Sequence, residues 1–249
     1  MSGHSRWSQI KRKKGKADVQ RGKVFSKILR EITVAARNGG DPKANMRLKA
    51  AIESAREANM PQENIKRAIQ KGTGELPGET YEEITYEGYA PGGVAVLVQV
   101  LTDNRNRTGP EIRHVFEKHG GHTGSAGAVA WMFERKGVIQ VDAEKIGEDD
   151  LLAKALDAGA GDMRRAEKAF EITTTPAEMD VVREALTKAG APVLEAQVSF
   201  VPKSTVKVES KDAASVLRLI EALEDLDDVQ SVYANYDIPD EVLEAIAAA

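Results

Sequence analysis

A continuous apolar stretch, Val94–Leu101, constrains the fold of this chain more than any other feature. It reads VAVLVQVL and lies between the turn-forming Pro91-Gly92-Gly93 and the polar Asp103-Asn104. A β-branched run of this length, with one polar residue in it, is typical of a strand that is buried on both faces. We therefore predict that it forms a central strand of a sheet.

The segment after this strand has the pattern of a polar turn followed by a helix. Thr108 and Glu111 have the spacing of a capping box, and apolar residues follow at helical spacing over 109–119. Arg105 and Arg107 lie in the turn, where the free N–H groups of a helix N-terminus favour an anion. This corner is a candidate phosphate-binding site. The equally weighted alternative is that both arginines are solvated or pair with nearby carboxylates.

Charge is distributed very unevenly along the chain. The 249 residues have a formal net charge of −4, yet residues 1–72 contain 18 Lys and Arg against 6 Asp and Glu, a net charge of +12. The remaining residues contain 17 basic and 33 acidic side chains, a net charge of −16. A basic head on an acidic body is typical of a protein whose head binds a polyanion.

Most candidate nucleic-acid-binding residues lie in a basic stretch near the N-terminus. Residues 4–23 include eight Lys or Arg, one Asp and few apolar side chains, so we expect this stretch to be mobile on its own. Its cations can neutralise phosphates, and one tryptophan can stack on a base; the alternative is a tail that only solvates the protein. With the two arginines of the turn, the predicted nucleic-acid-binding set is Arg6, Trp7, Lys11, Arg12, Lys13, Lys14, Lys16, Arg21, Lys23, Arg105 and Arg107.

Three short helices are predicted in the head. The first covers Val24–Arg37, the second begins with Asp41 as N-cap and Pro42 in its first turn, and the third runs from Pro61 to Gly72. Such a bundle is compatible with a helix-turn-helix reader of DNA and with a ribosome-binding unit. No run of polar side chains identifies a recognition helix.

Beyond a linker at 72–78, strands and helices alternate in an order that indicates two α+β domains. One β-α-β unit ends with a strand predicted at Ala128–Glu134, and another begins with a strand predicted at Thr205–Glu209. Residues 137–200 between them have the order β-α-β-β-α-β, so we predict one ferredoxin-like domain inserted in another. The fold class is multidomain α+β, with a tail and three-helix domain (1–75), a ferredoxin-like domain (79–136 plus 203–240) and an inserted ferredoxin-like domain (137–202).

Other candidate sites have little support. His119 and His122 flank two glycines at a helix end and the chain has no cysteine, so we predict no metal site. The glycine-rich stretch 120–127 lacks P-loop spacing and is predicted to be a flexible connection. The acidic run Glu221–Asp228 lacks EF-hand spacing and is predicted to be a solvated helix end. We expect a protein that is not an enzyme and that uses no cofactor or small-molecule substrate.

Composition also indicates where such a protein works. The absence of cysteine fits a reducing compartment, and the sequence has neither a secretion signal nor a run of 18 apolar residues. We therefore expect a cytoplasmic protein without a membrane partner. The C-terminal block 205–249 has 11 acidic and 3 basic side chains, so we do not expect it to contact nucleic acid.

Several long motifs resemble those of the YebC/PmpR family, and the likeness extends over essentially the whole chain. The motifs are Gly3-His4-Ser5-Arg6-Trp7 with the basic run behind it, Tyr86–Gly93, Thr102–Thr108 and Lys118–Gly121. Ala90 and His122 depart from the family pattern. The resemblance implies an N-terminal helical domain followed by two ferredoxin-like domains, the third inserted in the second, and it implies no catalytic residues.

The resemblance also implies a role in gene expression. Bacterial members are described as transcriptional regulators that bind promoter DNA, and a mitochondrial relative is a translational activator of cytochrome c oxidase subunit I. Bacterial members are also implicated in helping ribosomes through proline-rich stretches. We therefore predict a nucleic-acid-binding regulator of gene expression, with DNA-binding transcription regulation as its function. The alternative is a translation factor that binds ribosomal RNA and relieves stalling.

Overall fold

A bundle of three helices forms the first unit of the computed structural model, which describes residues 17–166 and 168–248. Its helices are α1 (Ala17–Ala35), α2 (Met46–Glu57) and α3 (Gln62–Thr73). Their apolar faces meet in one core in which Ile32, Leu48 and Ile65 are at most 1% exposed. The three helices that the periodicity predicts are confirmed.

The helix starts differ from the prediction. Within the described residues α1 extends back to Ala17, inside the basic stretch and before the predicted Val24, and α2 begins after Asn45, whose side chain accepts the Leu48 N–H at 3.1 Å. Asp41 is not the N-cap, because its carboxylate accepts the Lys43 N–H at 2.9 Å and closes a turn before the helix. Both residues can cap a helix, and the sequence does not show which of them does.

Gly72 does not end the third helix but lies where α3 crosses α1. A Cβ atom at this position would lie 2.3 Å from the Thr33 carbonyl oxygen and 2.6 Å from the Ala36 Cβ, so only glycine allows the two backbones to approach this closely. α3 ends at Gly74, whose φ of +84° is the left-handed conformation typical of a helix C-terminus.

The rest of the chain forms two α+β units, one inserted in the other, which confirms the predicted fold class. The first begins with β1 (Glu82–Ala90), β2 (Val94–Thr102), α4 (Arg105–Lys118) and β3 (His122–Thr123). The inserted unit has β4 (Phe133–Asp142), α5 (Glu148–Asp157), β5 (Asp162–Ala166), β6 (Ala169–Thr174), α6 (Met179–Lys188) and β7 (Val193–Pro202). The chain then completes the first unit with β8 (Val206–Lys207), α7 (Ser210–Glu224), β9 (Val229–Ala234), β10 (Tyr236–Asp237) and α8 (Asp240–Ala248).

The apolar strand that dominates the sequence is central, as predicted. The first sheet is antiparallel with the order β3-β1-β2-β9, and every residue of β2 except Gln99 is buried. Alternate valines of β2 pack against α4 and α7, while Ala95 and Leu97 face the opposite side. On that side, Val129 and Phe133 complete a small core that joins the two α+β units.

The composition of this sheet corrects the predicted pair of β-α-β units. β1 comes from the acidic segment after the linker, for which no strand is predicted, and it pairs with β2 along its whole length. The turn between them, Pro91–Gly93, has positive φ at both glycines. The strand predicted at Thr205–Glu209 is only the short β8, which pairs with β10 outside this sheet. β1 and β9 occupy both edges of β2, so no edge is left for β8.

The inserted unit has the predicted β-α-β-β-α-β order. Its sheet is antiparallel with the order β5-β6-β4-β7, and the core under α5 and α6 includes Ile139, Leu151, Phe170 and Leu186. β4 begins at Phe133, so the predicted border between residues 136 and 137 falls inside this strand.

The strand predicted at Ala128–Glu134 is wrong. A turn of 3-10 helix occupies Ala130–Met132, and only the last two residues of the predicted strand belong to β4. The physical reason is the buried Glu87 carboxylate, which accepts the N–H groups of Val129 and Ala130 at 2.6 and 2.7 Å. These N–H groups are therefore unavailable to a neighbouring strand.

Candidate nucleic-acid interface

The structure describes the side chains of three predicted nucleic-acid-binding residues. Lys23 lies in α1, and Arg105 and Arg107 lie in the first turn of α4. Arg21 lies in α1 with its side chain outside the described set. The other predicted residues lie outside the described part of the chain: Arg6, Trp7, Lys11, Arg12, Lys13, Lys14 and Lys16.

Three cations of α1 face the C-terminal end of α7, and we call Lys23, Lys27 and Arg30 the α1 stripe. Their i, i+4, i+7 spacing places them on one side of the helix. Lys23 donates to the carbonyl oxygen of Asp225 at 3.0 Å, and Lys27 donates to that of Glu224 at 2.6 Å. The stripe thus binds carbonyl oxygens that a helix C-terminus leaves without partners inside the helix.

Arg30 completes the stripe with two contacts to the turn after α7. Its guanidinium donates to the carbonyl oxygen of Asp227, and Nη1 lies 3.2 Å from Asp228 Oδ1, an ion pair without hydrogen-bond geometry. The same guanidinium lies over the Tyr81 ring, with its central carbon 5.8 Å from the ring centroid. The end of α7 is therefore bound along the whole length of the stripe.

These contacts correct the prediction that Glu221–Asp228 is a solvated helix end. α1 covers part of this acidic run, and Asp228 is only 3% exposed. Burial lowers the pKa of Lys27, although the nearby acidic groups of Glu224, Asp225 and Asp227 act in the opposite direction. The acidic run is thus an internal binding surface for the basic helix.

Asp228 joins three separate parts of the chain. Its Oδ2 accepts hydrogen bonds from Thr108 at 2.6 Å, Arg107 at 2.7 Å and Thr102 at 3.0 Å, and its Oδ1 faces Arg30. Burial acts to raise the pKa of the carboxyl group, but the hydrogen bonds from Arg107 and the two threonines outweigh burial and lower it. Asp228 therefore remains ionised and fixes α1, the end of β2 and the first turn of α4 around one buried charge.

The helix after β2 begins earlier than the capping box predicts. Asn104 is the N-cap, because its side chain accepts the Arg107 N–H at 3.2 Å, and α4 begins at Arg105. Thr108 is fully buried inside the helix, where its hydroxyl contacts Asp228. The predicted box of Thr108 and Glu111 is therefore wrong, because the threonine hydroxyl is used in a tertiary contact.

The two arginines of this turn have different environments. Arg107 pairs with Asp103 at 2.8 Å and with Asp228 at 2.7 Å. For Arg107 the structure therefore agrees with the second interpretation of the sequence, in which the arginine pairs with nearby carboxylates. Arg105 is exposed and has no ion pair with any residue in 17–166 or 168–248. Of the two, Arg105 is thus the one available to an anion at the N-terminus of α4.

The glycine-rich stretch 120–127 is held in place at several points, unlike the flexible connection that the sequence predicts. β3 lies within it and pairs with β1. The Glu87 carboxylate accepts the Gly127 N–H at 2.6 Å, and the Glu87 carbonyl accepts the Gly124 N–H at 2.8 Å. A Cβ atom at Gly121 would lie 2.5 Å from the Tyr89 carbonyl, so this glycine serves close packing.

Sequence reasoning missed Lys27, Arg30 and Asp228. A signal exists for the first two, since the spacing of Lys23, Lys27 and Arg30 puts three cations on one side of a helix. Asp228 gives no comparable signal, because it is one of several acids in a run and only the tertiary structure buries it.

Comparison with known proteins gives matches over nearly the whole chain. Residues 5–75 match a family described as the TACO1/YebC protein N-terminal domain, and residues 81–236 match one described as the TACO1/YebC second and third domain. The chain belongs to the TACO1/YebC family. The YebC resemblance that the motifs indicate is therefore confirmed.

Curated relatives match nearly the whole length of this chain. A protein of Pelotomaculum thermopropionicum is 58% identical over 243 residues, which cover 96% of this chain and all of the relative. A protein of Aquifex aeolicus is 55% identical over 248 residues, covering 99% of this chain and all of the relative. Each is named "Probable transcriptional regulatory protein".

A solved structure from the same family has the same fold. The crystal structure of a conserved hypothetical protein from Aquifex aeolicus superposes with a TM-score of 0.83 at 54% identity, and the match covers 91% of this chain and 94% of that chain. In the described residues of our chain, no helix is both long and apolar enough to cross a bilayer.

Proposed function

We propose that this chain is a nucleic-acid-binding regulator of gene expression and that it acts as a transcriptional regulator by binding DNA. The observation that carries the proposal is a set of unpaired cations on the helical bundle. Six basic side chains of the bundle are exposed or half-exposed and form no ion pair with any described residue. They are Lys43, Lys49, Arg56, Lys66, Arg67 and Lys71.

The relatives support the same function. Their name refers to transcription regulation, and they match this chain over nearly its whole length. The net charge of +12 in residues 1–72 supplies the long-range attraction that such a protein needs for DNA. Phosphate contacts alone give affinity without sequence choice, so a regulator also needs a surface that reads bases.

α3 is the best candidate for that surface. Four residues connect α2 to α3, and within them Asn59 has the left-handed φ of 57° that a tight helix-turn-helix connection uses. The first turns of α3 expose Gln62, Asn64 and Arg67, which are side chains that can pair with base edges in the major groove. The sequence pattern alone identifies no recognition helix.

A double variant of α3 tests DNA reading. Replacing Gln62 and Asn64 by alanine should reduce the preference for the best duplex over a scrambled one by about tenfold or more, because each good base contact contributes about 1–3 kcal/mol of discrimination. Binding to the scrambled duplex should change little, since phosphate contacts remain. Fluorescence anisotropy at fixed salt measures both affinities.

A second comparison removes charge from the bundle, and its matched control removes charge outside the bundle. Arg164→Gln with Lys168→Gln changes two exposed cations of the inserted unit and should leave binding unchanged. By contrast, Lys66→Gln with Lys71→Gln should weaken binding to every sequence, because both are exposed cations that are not assigned to base reading. If the α3 double variant keeps full discrimination, α3 does not read DNA.

The same six unpaired cations also support the translation alternative, which is the second candidate function. Structured RNA is recognised largely by shape and backbone, so the same six cations can bind ribosomal RNA without a base code. In that case the α3 double variant binds as the parent does, and ribosomes compete with every DNA sequence.

A further inference from the structure

The α1 stripe binds oxygen atoms that carry a negative or partly negative charge, as the phosphate oxygens of a nucleic acid do. Its ligands are the carbonyl oxygens at the end of α7 and the carboxylates of Asp225 and Asp228, all of them negative or partly negative. A helix C-terminus carries about half a negative charge, whereas a backbone phosphate carries a full one. The stripe spans about 10 Å along α1, a length over which a duplex presents several phosphates.

We propose that Lys23, Lys27 and Arg30 form a binding site for the phosphate backbone of a nucleic acid and that the C-terminal turn of α7 occupies this site in the free protein. The inference rests on the proposed function and adds to it a specific site. Binding at the stripe requires α1 to separate from α7, so the acidic turn acts as an internal competitor of the nucleic acid.

The contacts between the bundle and the first α+β unit permit such a separation. Their apolar cores are separate clusters, so undocking leaves each core intact. Besides the stripe, the contacts include Arg37 to the Tyr81 carbonyl at 2.7 Å and Arg47 to Glu83 at 2.7 Å. The ion pair is weakened by salt, and a competing charged ligand can replace both of these contacts.

The covered stripe also carries an electrostatic penalty. Lys27 is half-buried against a carbonyl group, and burial lowers the pKa of its ammonium group despite three nearby carboxylates. A phosphate with a full charge compensates this ammonium group better than a carbonyl does. When Arg30 leaves, Asp228 keeps its bonds to Arg107, Thr102 and Thr108, so the first α+β unit stays intact.

The first test weakens the internal competitor. Asp225→Asn with Asp227→Asn removes two exposed carboxylates beside the stripe and keeps the size of each side chain. Because the state in which α1 is separated from α7 becomes more populated, this variant should bind a 20-base-pair duplex at least about threefold more tightly than its control. The control, Glu111→Gln with Glu117→Gln, removes the same charge from the exposed side of α4. Equal affinity of the two variants overturns the proposal.

The second test asks whether the stripe itself binds phosphates. Lys27→Gln with Arg30→Gln should reduce the slope of log affinity against log salt by about 2, because two phosphate contacts are lost. If the end of α7 never leaves the stripe, the slope stays at the parent value and the proposal is wrong. An RNA stem-loop of similar length, measured in parallel, shows which nucleic acid supplies the phosphates.

The third test measures the separation directly. The chain contains no cysteine, so Ser54→Cys in α2 and Lys211→Cys in α7 accept spin labels at two exposed sites only. The distance between the labels should change on saturation with duplex or stem-loop, and an unchanged distance overturns the proposal. If the parent protein binds neither probe, the proposed function fails with the stripe proposal. If it binds a probe but the affinity, the salt slope and the label distance all stay unchanged, only the stripe proposal fails.

Discussion

Asp228 connects α1, the end of β2 and the first turn of α4 through one buried carboxylate. It is almost fully buried, it accepts three hydrogen bonds through one oxygen, and Arg30 and Arg107 provide its positive partners. Removing a buried carboxylate that is paired in this way leaves its donors without partners, which destabilises a protein far more than removal of an exposed acid does.

We expect Asp228→Asn to lower the free energy of unfolding by about 2 kcal/mol at neutral pH, since Arg107 is partly exposed and solvent screens its pair. The folded-state pKa of Asp228 is lowered, so its stabilising effect is complete above the unfolded pKa of about 3.9 and is lost as the pH falls through the folded value. Urea unfolding at several pH values measures this, and the variant should approach the parent at acid pH.

Asp225→Asn is the matched control because Asp225 lies in the same acidic run but is exposed. Its replacement should change the unfolding free energy by less than about 0.5 kcal/mol at any pH. A loss of stability as large as that of Asp228→Asn would show that the whole run, and not the buried carboxylate, stabilises the junction.

At the scale of elements, glycine positions decide how closely the helices of the bundle pack. Gly72 lies against the backbone of α1, whereas Gly22 lies in α1 at a position where, among the described residues, no atom outside the adjoining helix backbone is within 4 Å of the site that a Cβ would take. The same substitution should therefore have opposite effects at two helical sites of one bundle.

Gly72→Ala should destabilise the bundle by about 1–3 kcal/mol, because α1 and α3 must move apart to admit the methyl group. Gly22→Ala should stabilise it by up to about 1 kcal/mol, because alanine favours the helix and its methyl group contacts none of the described side chains. Thermal unfolding followed by circular dichroism distinguishes them. If both substitutions stabilise, the close crossing of α1 and α3 is absent in solution.

The elements also show which features can be predicted from the sequence. β2 can, because its β-branched apolar run, with Gln99 as the one polar residue, predicts a buried strand, and so can the strand and helix order of the inserted unit. β1 cannot, because exposed acidic residues at its start mask the pattern of Tyr86 and the residues after it. The 3-10 turn at Ala130–Met132 cannot either, since it depends on the distant Glu87.

At the scale of the whole molecule, opposite charges on different units meet where the chain folds back. The separation of basic head and acidic body is visible in the sequence, and it predicts a polyanion partner. What it does not predict is that part of the head, including Lys23, binds the body's own acidic turn. Intramolecular pairs of this kind depend on the placement of distant elements, which local patterns do not contain.

The central claim is that the basic head binds DNA to regulate transcription, and direct competition tests it. Purified protein is offered a pool of labelled promoter-length duplexes together with unlabelled ribosomes at near-physiological salt, and the retained duplexes are sequenced. We expect one sequence to be retained against both ribosomes and scrambled duplex. If nanomolar ribosomes remove the protein from every duplex, DNA binding is a nonspecific effect of the basic head, and the claim is wrong.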